Sequence, residues 1–156
     1  MITCSPYSGV VVIRSSPLKP LWLALPVASP AWLTSHPVQT LSDLAQAEWI
    51  IHERLPTPLR WQLRTDHQTE VDFAIASAPR FSADSATALM SFALAGCGVA
   101  LLPAWLVAKK VAQRELVPLL PEYHFPQQGV YALYPDSQHL PTRVRAFIDF
   151  LREKVG

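Results

Sequence analysis

Charge is scarce in this chain. Its 156 residues carry 13 Lys and Arg against 12 Asp and Glu, 16% charged in all, with a formal net charge of +1. An average soluble protein has about 25% charged residues. The near-neutral balance argues against a nucleic-acid footprint, because phosphate binding needs a concentrated basic patch. Lys109-Lys110 is the only adjacent basic pair. Cysteine is scarce too: Cys4 and Cys97 form no Cys-x-x-Cys and no disulfide framework, and both are expected as reduced thiols. No window reaches the roughly 18 consecutive apolar residues of a membrane span. The best candidate, residues 20–30, is short and broken by Pro26. The start Met1-Ile2-Thr3-Cys4-Ser5-Pro6 has no basic segment ahead of an apolar one, so no secretory signal is expected and the location is cytoplasmic, without membrane. What is abundant is apolar residues, at 50%, and proline, at 15. The first excludes disorder and leaves apolar surface for a partner; the second punctuates the chain.

Val10-Val11-Val12-Ile13-Arg14 is β-branched and reads as a strand, with residues 15–20 as a connection. Residues 21–28 form the next apolar run, which Pro26 demotes to an edge or bulged strand. Ser29 then caps a helix with Pro30 at its first position, and Thr40 caps another with Asp43 near its positive end. Residues 49–52 read as a strand leaving into a proline-bearing loop, residues 53–58. Residues 61–64 and 71–76 read as two strands around a turn at 65–68. Asp84-Ser85 caps a helix through Ala86, Leu89, Phe92, Ala93 and Ala95, which recur at helical spacing. Gly96 stands where a left-handed stop is wanted, and Gly98 where backbones approach closely. Val99-Ala100-Leu101-Leu102 has the unbroken apolar pattern of a buried parallel strand, and Pro103 opens a helix reaching about Lys110. Strands are expected at 117–120 and 130–134. Pro141 begins a helix whose Val144, Phe147, Ile148 and Leu151 make one apolar stripe.

Chemistry is harder to find. Histidines 36, 52, 67, 124 and 139 form no pair with metal-ligand spacing, so no metal is expected. There is no Gly-x-Ser-x-Gly elbow and no nucleophile–base pair, so no catalytic residue, cofactor or enzymatic activity is assigned. Ala95-Gly96-Cys97-Gly98 follows a helix and precedes a strand, the reverse of a dinucleotide-binding loop. Two places suit a small ligand. The loop after residue 51 offers His52, Arg54 and Thr57 at the carboxyl end of a strand, where open α/β sheets bind ligands. Ser82, Asp84 and Ser85 lie at a helix start, where free N–H groups attract anions. Simple capping by Asp84, with a solvated loop beside it, is the bland alternative. Glu53 and Asp84 would repel an acid unless they turn away or bind an amine, so carboxylates and amino acids both stay open.

Phe81-Ser82-Ala83-Asp84-Ser85 is followed by Ala95-Gly96-Cys97-Gly98-Val99-Ala100-Leu101-Leu102-Pro103-Ala104-Trp105, then by Gly129-Val130-Tyr131-Ala132-Leu133-Tyr134-Pro135 and Pro141-Thr142-Arg143-Val144-Arg145-Ala146-Phe147. With Val12-Ile13-Arg14, Ser29-Pro30-Ala31-Trp32-Leu33 and Leu41-Ser42-Asp43-Leu44 upstream, this order resembles the effector-sensing part of LysR-type transcriptional regulators over roughly residues 9–153. The resemblance implies an α/β, type 2 periplasmic-binding-protein-like fold, with two subdomains joined by crossovers and a small effector in the cleft. It implies one complete subdomain plus the C-terminal part of the other. Residues 1–20 would be crossover strand and connection, 21–120 the effector-binding subdomain, and 121–156 the return crossover, strand and helix of the first.

The winged helix-turn-helix of that family has no counterpart among these residues, so DNA contact is expected only through such a domain elsewhere. Homo-oligomers are expected, with the 144–151 stripe seeking cover. The competing readings are a transporter's solute-binding protein of the same fold, and a small α/β enzyme.

Overall fold

The computed structural model describes residues 13–22, 24–55, 57–126, 128–135 and 141–155. The strand start expected at Val10 to Val12, and Cys4, Pro56 and His139, lie outside these residues. The chain divides into two units, Met1–Leu21 with Gln128–Gly156, and Trp22–Gln127.

In the unit made from the two ends, β1 (Ile13–Trp22) pairs with β10 (Gln128–Pro135), and α5 (Thr142–Val155) follows. The sequence predicts a connection at residues 15–20, but β1 runs straight through it. Pro17 and Pro20 argue for a break, yet a two-stranded sheet leaves one edge of β1 open. Three positions apart, the two prolines present their nitrogens to opposite edges of the strand, so one missing N–H can lie at the open edge, where it costs no ladder bond. On α5 the expected stripe is covered unevenly: Ile148 is buried, Val144 and Leu151 are half-buried, and Phe147 is 59% exposed.

The contiguous unit is built on a five-stranded sheet of order β6-β3-β7-β2-β8. Its strands are β2 (Ala24–Ala28), β3 (Trp49–His52), β6 (Phe81–Ala83), β7 (Val99–Pro103) and β8 (Val117–Pro118). β3 runs parallel to β6 and β7, whereas β2 is antiparallel to β7 and β8. The expected parallel strand at 99–102 therefore has one parallel and one antiparallel neighbour, and both of its faces are covered.

Alternate residues supply two separate cores. Trp49, Val99, Ala24 and Ala28 pack with Trp32 of α1 (Pro30–Ser35), Leu44 of α2 (Leu41–Gln46), and Leu63, Phe73 and Phe125. Ile50, Ala100, Leu102 and Val27 pack with Leu89 and Ala93 of α3 (Ala86–Leu94) and Val107 of α4 (Ala104–Ala112). A strand buried on both faces needs apolar residues at every position, which explains the run at 99–102.

Pro26 lies in an interior strand, not at the edge its ring predicts. Its carbonyl accepts the Leu119 N–H at 2.9 Å. The N and C=O of one strand residue point to the same side, so the missing N–H faces β8 and not β7. The one bond forgone is to Leu119, just where the pairing of Val27 with Pro118 and Ala28 with Val117 ends. The strand expected at 117–120 shrinks to Val117 and Pro118.

The helix starts follow their caps. Ser29 Oγ accepts the Trp32 N–H at 3.4 Å. Thr40 and Asp43 form a reciprocal box, with Asp43 N–H donating to Thr40 Oγ1 at 3.2 Å and Thr40 N–H to Asp43 Oδ2 at 2.8 Å. Gly96 closes α3 at φ +76, and Gly98 at φ +137 lets the chain pass Glu48, whose carbonyl oxygen would lie 2.1 Å from any Cβ there.

β4 (Arg60–Thr65) and β5 (Glu70–Ala74) form the expected hairpin, to which β9 (Tyr123–His124) adds at Arg64 and Thr65. Its inner face seats Trp61, Phe73 and Phe125 with ring centroids 5.7–6.1 Å apart.

Candidate functional site

β3 and β6 lie side by side and parallel, with Ile51 opposite Ser82 and His52 opposite Ala83. Their carboxyl ends therefore release two loops at one place on the sheet, and the loop beyond β6 runs directly into α3. Residues 52–54 and 82–84, read separately from the sequence, are thereby neighbours.

The backbone continues the ladder one step beyond β3, the Glu53 N–H donating to the Ala83 carbonyl at 3.1 Å. The chain then turns, with Leu55 N–H on the His52 carbonyl at 3.3 Å and Arg54 N–H on His52 Nδ1 at 3.3 Å. That second bond makes His52 Nδ1 an acceptor, so any ring N–H lies on Nε2.

Two side-chain bonds cross between the loops. Ser82 Oγ donates to Glu53 Oε1 at 2.7 Å, and Arg54 Nη2 meets Asp84 Oδ2 at 3.1 Å. The acids that would repel an acidic ligand are thus each engaged by a neighbour. The Arg54 and Asp84 side chains remain 76% and 59% exposed, so this pair lies in water rather than in the core. Such pairs are worth about 0–1 kcal/mol and exchange readily.

The cap of α3 is Ser85, whose Oγ accepts the Ala88 N–H at 3.5 Å. The expectation of capping by Asp84 is corrected: Asp84 precedes the cap, and its carboxylate goes to Arg54. Thr57 is exposed, and its carbonyl accepts the Arg60 N–H at 3.4 Å. His52 is half-buried.

Sequence reasoning missed β6 and the role of Glu53. Phe81-Ser82-Ala83 is too short, and too poor in β-branched residues, to announce a strand. It forms because β3 offers it a parallel edge. Also missed is the cluster at the opposite, amino-terminal end of these strands. There the Glu48 carboxylate receives Arg80 Nη1 at 2.9 Å on both oxygens and Trp32 Nε1 at 3.4 Å. The Trp32 bond, with Arg80 beside it, holds the Glu48 carboxyl below its ordinary range. This cluster ties α1 to the approach into β6 and is distant in the strand direction from the loops above.

Among the described residues no group of three or more His, Cys, Asp or Glu is placed to hold a metal ion, and no helix is long and apolar enough to cross a membrane.

Residues 19–156 match the family described as LysR substrate binding domain. The chain is 42% identical over 131 residues to the HTH-type transcriptional regulator PtxR of Pseudomonas aeruginosa, covering 83% of this chain and 41% of that protein. It is 30% identical over 128 residues to the HTH-type transcriptional regulator DmlR of Escherichia coli, covering 81% and 40%. It thus spans about two fifths of the length of these curated relatives.

Among solved structures, the CrgA regulatory domain of Neisseria meningitidis superposes with a TM-score of 0.69 at 27% identity, over 92% of this chain and 69% of that one. The full-length Vibrio cholerae virulence activator AphB gives 0.69 at 28%, over 92% and 51%. The relatives named are transcriptional regulators, and the structures are a regulatory domain and a full-length member of the LysR type, whose regulatory domains have the type 2 periplasmic-binding-like fold. This chain belongs to the LysR substrate-binding domain family.

Proposed function

We propose that the chain is the effector-sensing domain of a cytoplasmic LysR-type transcriptional regulator, a sensor rather than an enzyme. In this reading residues 21–120 form the effector-binding subdomain and the ligand is a small carboxylate or amino acid. The whole protein would reach DNA through a helix-turn-helix domain and act as a homo-oligomer. His52, Thr57 and Ser85 belong to the same two segments, and the observation that carries the reading is the pairing of Arg54 with Asp84 and of Ser82 with Glu53 at the carboxyl ends of two parallel strands. That is where open α/β sheets bind ligands.

Arg54 would exchange Asp84 for the ligand's carboxylate, and Asp84, once released, would suit an ammonium group. The Thr57 and Ser82 hydroxyls and His52 Nε2 would add hydrogen bonds, and the N-terminal end of α3 near Ser85 a partial positive charge. A thermal-shift screen with small carboxylates, amino acids and aromatic acids tests it, because a ligand of the native state raises the melting temperature by mass action. A ligand whose shift disappears in Arg54→Ala supports the site. Uniform silence across all three classes counts against the reading.

A further inference from the structure

The outer face of the β4–β5 hairpin carries a feature the effector reading does not use. Arg60, Gln62 and Arg64 on β4, and Glu70, Asp72 and Ala74 on β5, are all exposed, as alternation along a strand requires. Arg64 stands opposite Glu70, and the two pair at 3.4 Å. Arg60, however, stands opposite Ala74, and Asp72 opposite Gln62. Neither charge has a counter-charge directly across the ladder. Among the described residues, no hydrogen bond or ion pair engages the side chains of Arg60, Gln62 or Asp72.

The small Ala74 side chain leaves room beside Arg60. A hollow of about 390 Å³ opens here, lined by Arg60, Trp61, Gln62, Asp72, Phe73 and Ala74. Its size lies within the range of small-ligand sites. Trp61 and Phe73 are also packed into the core from the other side, in contact with Phe125 and each other, so the floor of the hollow is rigid.

From this arrangement we propose a second ligand site on the hairpin, selective for a zwitterionic amino acid whose carboxylate pairs with Arg60 and whose ammonium group pairs with Asp72. A simple anion would gain Arg60 but face Asp72, and a simple cation would meet the reverse conflict. Only a ligand carrying both charges satisfies both groups. Gln62, next to Arg60 on one strand and across from Asp72 on the other, can both donate to and accept from the ligand's polar atoms. The proposal does not rest on the effector site at β3 and β6.

The test is a titration of the whole ¹⁵N-labelled chain with L-glutamine, following the Gln62 side-chain amide and the Arg60 Nε–H. The expected result is saturable shifts of both signals with a Kd of about 1 mM. Arg60→Gln and Asp72→Asn, both exposed substitutions, should each weaken binding about tenfold or more, whereas Arg54→Ala leaves it unchanged. Acetate and methylammonium should give no saturation at the same concentrations. Failure of L-glutamine to saturate overturns the site, as does equal response to acetate alone. Loss of the hairpin shifts in Arg54→Ala would overturn it too, by assigning the binding to β3 and β6.

Discussion

Arg54 and Asp84 are 30 positions apart in the chain, yet their side chains meet at 3.1 Å across the ends of two parallel strands. Each offers the other an opposite charge. In the proposed site an incoming carboxylate would have to compete with one already in place.

Replacement of Arg54 by alanine separates fold from recognition. The ion pair is exposed, so unfolding free energy should change by no more than about 1 kcal/mol. Effector affinity should fall by about 1.5–3 kcal/mol if a charged hydrogen bond to the ligand is lost. Chemical denaturation and calorimetric titration of the same preparation measure the two numbers. An unchanged titration would place Arg54 on the solvated surface.

Leu102 is fully buried on the α3–α4 side of β7, while Leu101 on the other side is half-buried. Leu102→Ala should cost about 2–5 kcal/mol, the range for a leucine truncated in a packed core. Leu102→Asp should abolish soluble expression, because it buries an unpaired charge. Soluble, cooperative folding of the aspartate variant would refute the placement of this strand.

Gly98→Ala should be harmful out of proportion to its size. The added Cβ would lie 2.1 Å from the Glu48 carbonyl oxygen, at a φ of +137 that alanine rarely adopts. A loss greater than about 1 kcal/mol is expected, read from the shift of the urea midpoint. Gly96→Ala, whose nearest contact is 3.6 Å from Ser29 Oγ, should suffer mainly the backbone penalty at φ +76 and be the milder of the two.

The capping box on α2 gives a pH dependence of known sign. The Gln39 N–H, then the Thr40 hydroxyl and N–H, hold the Asp43 carboxyl below its ordinary value. A depressed folded-state pKa stabilises above the unfolded value, and that stability is lost as pH falls through the folded one. The amide signals of Gln39 and Thr40 should therefore titrate below the ordinary aspartate range. Asp43→Ala should flatten the acid limb of the stability curve. Titration of Asp43 at its ordinary value would remove the effect.

The exposed rings of α5 bear on assembly. Phe147 is 59% and Phe150 50% exposed on one helix. Self-association is expected at tens of micromolar, and Phe147→Ser should shift sedimentation towards monomer. A wild-type chain that sediments as a clean monomer would count against a homo-oligomer formed through this domain.

What could be read from the chain depended on how local its causes were. Ser29, Thr40 and Gly96 act within one turn of their own positions, so the caps and stops of α1, α2 and α3 were legible. The run at 99–102 announced a strand buried on both faces, although its antiparallel neighbour β2 was not foreseen. Pro26 and the prolines of β1 were misleading, because their cost depends on which side of the strand the missing N–H faces. That side is settled by partners far along the chain. The two loops of the proposed site were each visible as loops. Their adjacency comes from the pairing of β3 with β6, a strand whose own residues give almost no β signal.

The two-unit division also bears on the order of events during folding. Residues 22–127 form their sheet, their hairpin and both cores from one uninterrupted stretch. The strands β1 and β10, by contrast, can pair only after the chain has closed a loop longer than all of that stretch. Loop-closure entropy grows with length only slowly, but non-local pairing is kinetically late. During synthesis the central unit can be complete while β1 still waits for its partner to leave the ribosome. The part of the molecule that carries the loops beyond β3 and β6 can then be native first, and the two-stranded sheet closes after it.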